Sequence, residues 1–275
     1  MVSVYLNHLL IFVDQDTYAS LAACSFLNGA FAPSERRQTI DEANSAHWTG
    51  HYFYGNCTYF EFMEPGATTW RPIDGVAFGV DEEGSGPIVC KQLGDTTGLE
   101  IMSYLRTRQD KDGDIPWFDM IEYSRPDTTG LISWVMAYDA RFLERWEPQL
   151  PPASAGCRRK DVLDRYRARL GWNGKSALFG DITELTVALV EEQGALFRRE
   201  LSAYGYRISE TTTGYSANGP DISIHVDTST SENKVGIQQF TLALNRPKSG
   251  AGVYRYGSSC ELSFKDDLTA VWKFF

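Results

Sequence analysis

The chain has 275 residues, a formal net charge of −10, 43% hydrophobic residues and 13% aromatics. That size and composition describe one large packed domain or two to three small ones with aromatic-rich cores, and exclude a disordered chain. The acidic balance argues against sequence-independent nucleic-acid binding and against adsorption to anionic lipid, which both need a basic surface.

The first apolar run, LNHLLIFVD at residues 6–14, ends at Asp14, too early for a membrane span. MVSVYLNHLL lacks a basic leader region and a small-residue cleavage site, and the five cysteines (Cys24, Cys57, Cys90, Cys157, Cys260) are scattered with no CxxC spacing. Neither a disulfide framework nor a structural zinc site is expected, and the expected setting is reducing and cytoplasmic. A period of two puts His8, Leu10 and Phe12 on one face of this strand and Leu9, Ile11 and Val13 on the other. Neither face suits solvent, so His8 is expected to be buried with a hydrogen-bond partner, a metal or a ligand.

QDTYASLAACSFL (15–27) reads as a helix with Asp16 as its cap, and a strand follows near RRQTID (36–41). TGHYFYG (49–55) and CTYFEFMEPG (57–66) form a hairpin turning at Gly55 and Asn56. This order, β-α-β-β-β, restarts at IDGVAFGVDE (73–82), with a short helix and then strands at 99–109, 116–124 and 130–139, separated by the turns QDKDGD and RPDTTG. EPQLPPASAGCRRK (147–160) holds three prolines and reads as a boundary, and DVLDRYRARLGW beyond it as a helix. DITELTVALVEE (181–192), helix EEQGALFRRELSAYG, and strands YRISETTTGY, DISIHVDTS and GIQQFTLALN make a third unit, with GVYRYG, SCELSF and AVWKFF as extra strands.

This module order, with LNHLLIFVD and YFEFMEPG, resembles the vicinal oxygen chelate superfamily of glyoxalase I, fosfomycin-resistance transferases and extradiol dioxygenases. The finer pattern of FAPSERR, TGHYFYG, TYFEF and WVM is similar to a glyoxalase-like family known only as a domain of unknown function. The resemblance implies an α+β fold of repeated β-α-β-β-β modules forming curved half-barrel sheets, with an additional C-terminal module. It divides the chain into paired modules over 1–146 (1–66 and 73–146), a linker and helix over 147–180, and a third module over 181–275. His8 and Glu61 stand where that superfamily holds a divalent ion, here zinc, nickel, iron or manganese. In the second copy Gly75 stands at the first ligand position and GLISWVMAYD has no glutamate; in the third, Glu184 and Gln239 take the two positions and join the set only if the first and third modules share a cup.

An imidazole and a carboxylate suit such ions. Without a metal the same pair serves as a base and its orienter, or is simply a core hydrogen bond. Tyr59, Glu61 and Met63 share one strand face, and Phe60 and Phe62 take the other. His51, on the neighbouring strand, is a further catalytic candidate beside His8 and Glu61, and Tyr52, Tyr54, Tyr59, Trp117, Tyr123 and Trp134 are candidates for a substrate-binding lining. The expected function is a small-molecule enzyme of isomerase, lyase or cyclase type working by metal-assisted or His/Glu-assisted proton transfer. The alternative is a metal-free protein that binds and sequesters a small molecule. The expected partner is a small organic molecule, with neither nucleic acid nor membrane, in a chain that could also pair as a homodimer.

Overall fold

The computed structural model describes residues 2–41, 45–69, 71–110, 113–123, 130–146, 157–172, 177–228, 235–248 and 252–275. The linker expected at 147–160 lies outside the described residues up to 156, as do parts of the QDKDGD and RPDTTG turns.

The elements run β1 (Tyr5–Phe12), α1 (Gln15–Ala23), β2 (Ser34–Asp41), β3 (Ala46–Tyr54), β4 (Tyr59–Thr68), then β5 (Asp74–Gly79), α2 (Gly86–Thr97), β6 (Ile101–Asp110), β7 (Gly113–Tyr123) and β8 (Leu131–Tyr138). These are two β-α-β-β-β units. In each, the helix carries the chain across so that the first strand lies parallel to the last, β1 to β4 and β5 to β8. Antiparallel pairing of β1 with β5 fuses the units into one eight-stranded sheet of order β2-β3-β4-β1-β5-β8-β7-β6. The sheet curls until its edge strands β2 and β6 approach, and Arg106 of β6 bonds Asp41 of β2 there.

Two short helices, α3 (Ala140–Arg145) and α4 (Arg159–Arg169), follow and pack on the front of this sheet through Phe142, Leu143, Val162 and Tyr166. The rest is β9 (Phe179–Ala188), α5 (Glu191–Ala203), β10 (Arg207–Glu210), β11 (Gly214–Asn218), β12 (Ser223–Asp227), β13 (Gly236–Leu244), β14 (Val253–Tyr256), β15 (Cys260–Phe264) and β16 (Thr269–Phe274). Here the structure corrects the expected organisation. YRISETTTGY is no single strand but a hairpin, β10 to β11, turning through residues 211–213. The third unit therefore ends at β12, and GIQQFTLALN opens a fourth. No helix lies between β13 and β14 among the described residues, so the fourth unit meanders and its first and last strands, β13 and β16, are antiparallel. Third and fourth units make a second eight-stranded sheet of order β10-β11-β12-β9-β13-β16-β15-β14.

One large core joins the backs of both sheets with the inner faces of α1, α2 and α5. Phe60 of the first sheet packs against Phe240 and Trp272 of the second at centroid distances of 5.2 and 5.4 Å. Polar staples cross the same seam. Asp74 accepts from Phe12 N at 3.0 Å and Ile237 N at 2.9 Å, and Asp181 accepts from Cys57 N and Thr58 N at 2.7 and 2.8 Å. Buried Glu200 of α5 accepts from Tyr123, Ser133 and Tyr204. Helix α1 is capped by Asp14 rather than Asp16: the Asp14 side chain accepts from Thr17 N at 2.9 Å, and the helix ends at Ala23.

Candidate functional site

The front of the first sheet forms a cup. Strand β1 carries a bulge in its pairing with β5, where Leu6 faces Phe78 and His8 faces Ala77, so Asn7 is the extra residue. Leu6 and Leu9 consequently both enter the core, while His8 and Leu10 turn to the front, as the period-two reading of residues 8–13 expects. On β4, Tyr59 and Glu61 face the cup and Phe60 and Phe62 the core. The parallel register sets His8 beside Tyr59 and Leu10 beside Glu61.

His8 is 3% exposed and Glu61 4%. His8 Nε2 lies 3.5 Å from Glu61 Oε1, and its Nδ1 lies 2.9 Å from Asn7 Oδ1. An amide oxygen only accepts, so the Nδ1–H tautomer donates to Asn7 and turns the Nε2 lone pair toward the carboxylate, whereas the Nε2–H tautomer donates to Glu61 instead. Burial pulls the His8 pKa down and outweighs the opposing pull of Glu61, which keeps the ring neutral near pH 7. In the Nδ1–H tautomer two acceptors face each other, a repulsive arrangement unless a proton or a cation stands between them. Glu61 Oε2 has no hydrogen-bond partner among the described residues. Gly50 makes room for it: a Cβ there would come within 2.8 Å of Oε2. The Tyr59 ring stacks on His8 at 4.2 Å, and the Trp134 ring meets it edge-on at 5.4 Å.

The pocket above this pair holds about 170 Å³ and has a mostly aromatic and aliphatic lining. Tyr52, Tyr59, Trp117 and Trp134 line it as expected. Trp48 Nε1 donates to the Tyr52 hydroxyl at 2.9 Å, and burial together with the Glu61 charge raises that tyrosine's pKa, so it stays protonated. Tyr54 lies beside the pocket, stacked on Tyr166 of α4 at 4.7 Å.

Other expected site residues fall elsewhere. His51 alternates with Tyr52 and so points to the opposite face, against Phe53 at 4.4 Å; burial and the Arg36 charge lower its pKa to about 4. Tyr123 faces the core and donates to Glu200 at 2.9 Å, because Trp117 is an extra residue on β7 where the pairing with β6 slips, which reverses the parity beyond it. Glu184 and Gln239 belong to the second sheet and do not line the cup. Gln239 sits on the opening strand of the fourth unit, and Glu184 accepts from Thr241 Oγ1 at 2.8 Å. At Gly75, a Cβ would strike Trp134 at 2.8 Å, so the glycine seats the indole that forms one wall.

Sequence reasoning passed over three contributors. Asn7 orients His8, and Arg37 and Arg106 line the pocket from the two edge strands. Asn7 was legible as part of the NH dipeptide; the arginines become neighbours only when the sheet curls.

An imidazole and a carboxylate are donors that zinc, nickel, iron and manganese accept, and two of them would hold such an ion only together with further donors. The bond from the second ring nitrogen of His8 to Asn7 is the kind of support that metal-bound histidines receive. No third His, Cys, Asp or Glu joins the pair among the described residues, so the remaining positions of such an ion would fall to water and substrate.

No curated protein matches the sequence. Among solved structures, a hypothetical protein from Staphylococcus aureus is similar at 11% identity, over 82% of this chain and 86% of that one, with a TM-score of 0.49, too weak a likeness to bear on function. A family model matches residues 6–274, nearly the whole chain, and the protein therefore belongs to DUF5829, a family of unknown function.

Proposed function

We propose that the cup is the active site of a small-molecule enzyme of vicinal oxygen chelate type, catalysing an isomerase, lyase or cyclase step by proton transfer. The observation that carries this reading is the buried His8 Nε2 facing Glu61 Oε1 at 3.5 Å, with Oε2 unpartnered among the described residues, on the floor of a mostly apolar pocket. His8 and Glu61 would hold a divalent ion, which supplies Lewis-acid polarisation of a substrate oxygen. The chain's own residues do the rest. Asn7 fixes the His8 tautomer, Tyr59 and Trp134 hold the ring in place, and the aromatic walls exclude water and thereby strengthen every polar contact inside. Glu61 Oε2 is placed to accept a proton from an acidic C–H or hydroxyl. Paired β-α-β-β-β modules in one curled sheet support the glyoxalase-like reading of the fold.

The absence of a third ligating side chain among the described residues favours one other reading, a metal-free protein that sequesters its ligand. Elemental analysis of the purified protein beside His8→Ala and Glu61→Ala, each checked by circular dichroism, decides between them. Near-stoichiometric metal that disappears in both folded variants supports the enzyme; its absence after reconstitution sinks the metal-assisted form.

The described residues contain no helix long and apolar enough to cross a membrane, and their cysteines are free. Those free thiols support a cytoplasmic setting. The proposed partner is a small organic molecule, and pairing of two copies is settled by sedimentation.

A further inference from the structure

Two guanidinium groups stand in the lining of the cup, Arg37 from β2 and Arg106 from β6. Their carboxylate partners, Glu35 and Asp41, lie outside that lining. Arg37 is rigidly held. Its Nη1 donates to Glu35 Oε1 at 2.8 Å and to the Tyr54 hydroxyl at 3.1 Å, and its guanidinium carbon lies 4.1 Å from the centroid of Tyr52 and 5.1 Å from that of Tyr166. Its Nε is nonetheless buried with no acceptor among the described residues, and so is the indole Nε1 of Trp117. Orphaned donors at buried positions are costly unless something else satisfies them. Both side chains line one pocket, whose walls are otherwise aromatic and aliphatic apart from Arg106 and the His8–Glu61 pair, although neither orphaned atom is itself open to the cavity.

We infer that the cup takes a small flat organic anion, such as a carboxylate or enolate borne on an aromatic or conjugated body. The negative group meets Arg37 and Arg106 at the side where the sheet edges close, and the body lies between the Trp117 and Trp134 walls. The cavity, about 170 Å³, is of a size for a small molecule. The inference deepens the proposed function by naming its substrate class, and it rests on that reading of the pocket but not on the metal.

The test uses three probes of similar size at pH 7, benzoate, benzamide and benzylamine, titrated against the full-length protein and followed by tryptophan fluorescence. It is run on protein as purified and after chelator dialysis. Benzoate is expected to bind at least about tenfold tighter than benzamide, the worth of a charge-assisted hydrogen bond, and benzylamine weakest of all. The preference persists after chelation and collapses in Arg106→Gln. The double variant R106Q/D41N, which leaves no unpaired charge at the sheet edge, loses it equally, while circular dichroism and urea unfolding show both variants folded. Equal binding of benzoate and benzamide, no binding by any probe at high millimolar concentration, or an unchanged preference in R106Q/D41N overturns the inference. A benzoate preference that vanishes with the metal also overturns it, since the ion and not the arginines would then hold the anion, while the proposed function stands. A preference that survives in protein shown to bind no metal leaves the inference intact and removes the metal-assisted reading instead.

Discussion

Asp74 lies at the seam between the two sheets and should set the pH dependence of their union. Its carboxylate accepts from Phe12 N and Ile237 N, one on each side of the seam, and burial still raises its pKa from 3.8 to about 6. Between those two values the folded chain holds a proton that the unfolded chain has released. Stability from this group is thus complete below about pH 4 and is lost as pH rises through 6. A shift of about 2 units at 1.36 kcal/mol per unit amounts to ~3 kcal/mol. In Asp74→Asn the group no longer titrates, and its amide nitrogen faces one of the two N–H groups at a cost of ~1–3 kcal/mol. The variant is therefore less stable than the natural chain by that amount at pH 4, and at pH 7.5 lies between equal to it and ~2 kcal/mol more stable. Urea unfolding followed by tryptophan fluorescence across this range reads the difference free of the other carboxylates. A gap that stays flat with pH, or widens toward pH 7.5, refutes the reasoning.

Three further outcomes follow from contacts at the site and beneath it. Gly75→Ala drives a methyl group against Trp134, so it should cost ~1–3 kcal/mol in urea and alter the fluorescence of the cup; an unchanged midpoint and emission spectrum would show that the indole has room to move. Asn7→Ala frees the His8 ring and should weaken affinity for added zinc about 10- to 100-fold with the fold intact, measured by competition with a chromogenic chelator; equal affinity removes Asn7 from the site. Glu200→Gln points an amide N–H₂ at hydroxyls of Tyr123, Ser133 and Tyr204 that donate to the natural carboxylate, for a loss of about 2–3 kcal/mol in urea, and a neutral effect would mean the cluster repacks.

Much of the first half could be read from the residues. Alternation in LNHLLIF and TYFEF identifies the face shared by His8 and Glu61, and the repeated β-α-β-β-β order leads to the fused sheet. The same alternation, carried through HYFY, places His51 opposite Tyr52 and out of the cup. Reading failed where geometry is set by pairing. The Thr run of ETTTG has strand propensity and no proline or asparagine to mark the turn between β10 and β11, so the hairpin was hidden and with it the fourth unit. The extra residue at Trp117 reverses parity in a way that only the register with β6 reveals, which moved Tyr123 into the core. Arg37 and Arg106 are far apart in sequence and become neighbours of one pocket through the closure of a sheet, a tertiary event with no local signature.

On the proposed reading His8 carries its proton on Nδ1 and would offer Nε2, with Glu61, to a divalent ion. Nitrogen-15 NMR of the imidazole reads this directly, with His8→Gln assigning the resonances. A protonated Nδ1 and a bare Nε2 are expected at pH 7, with a shift of Nε2 that saturates at one equivalent of zinc and is absent in Glu61→Gln. A protonated Nε2 donating to Glu61, unmoved by zinc, would contradict it and reduce the pair to a hydrogen bond in the wall of the cup.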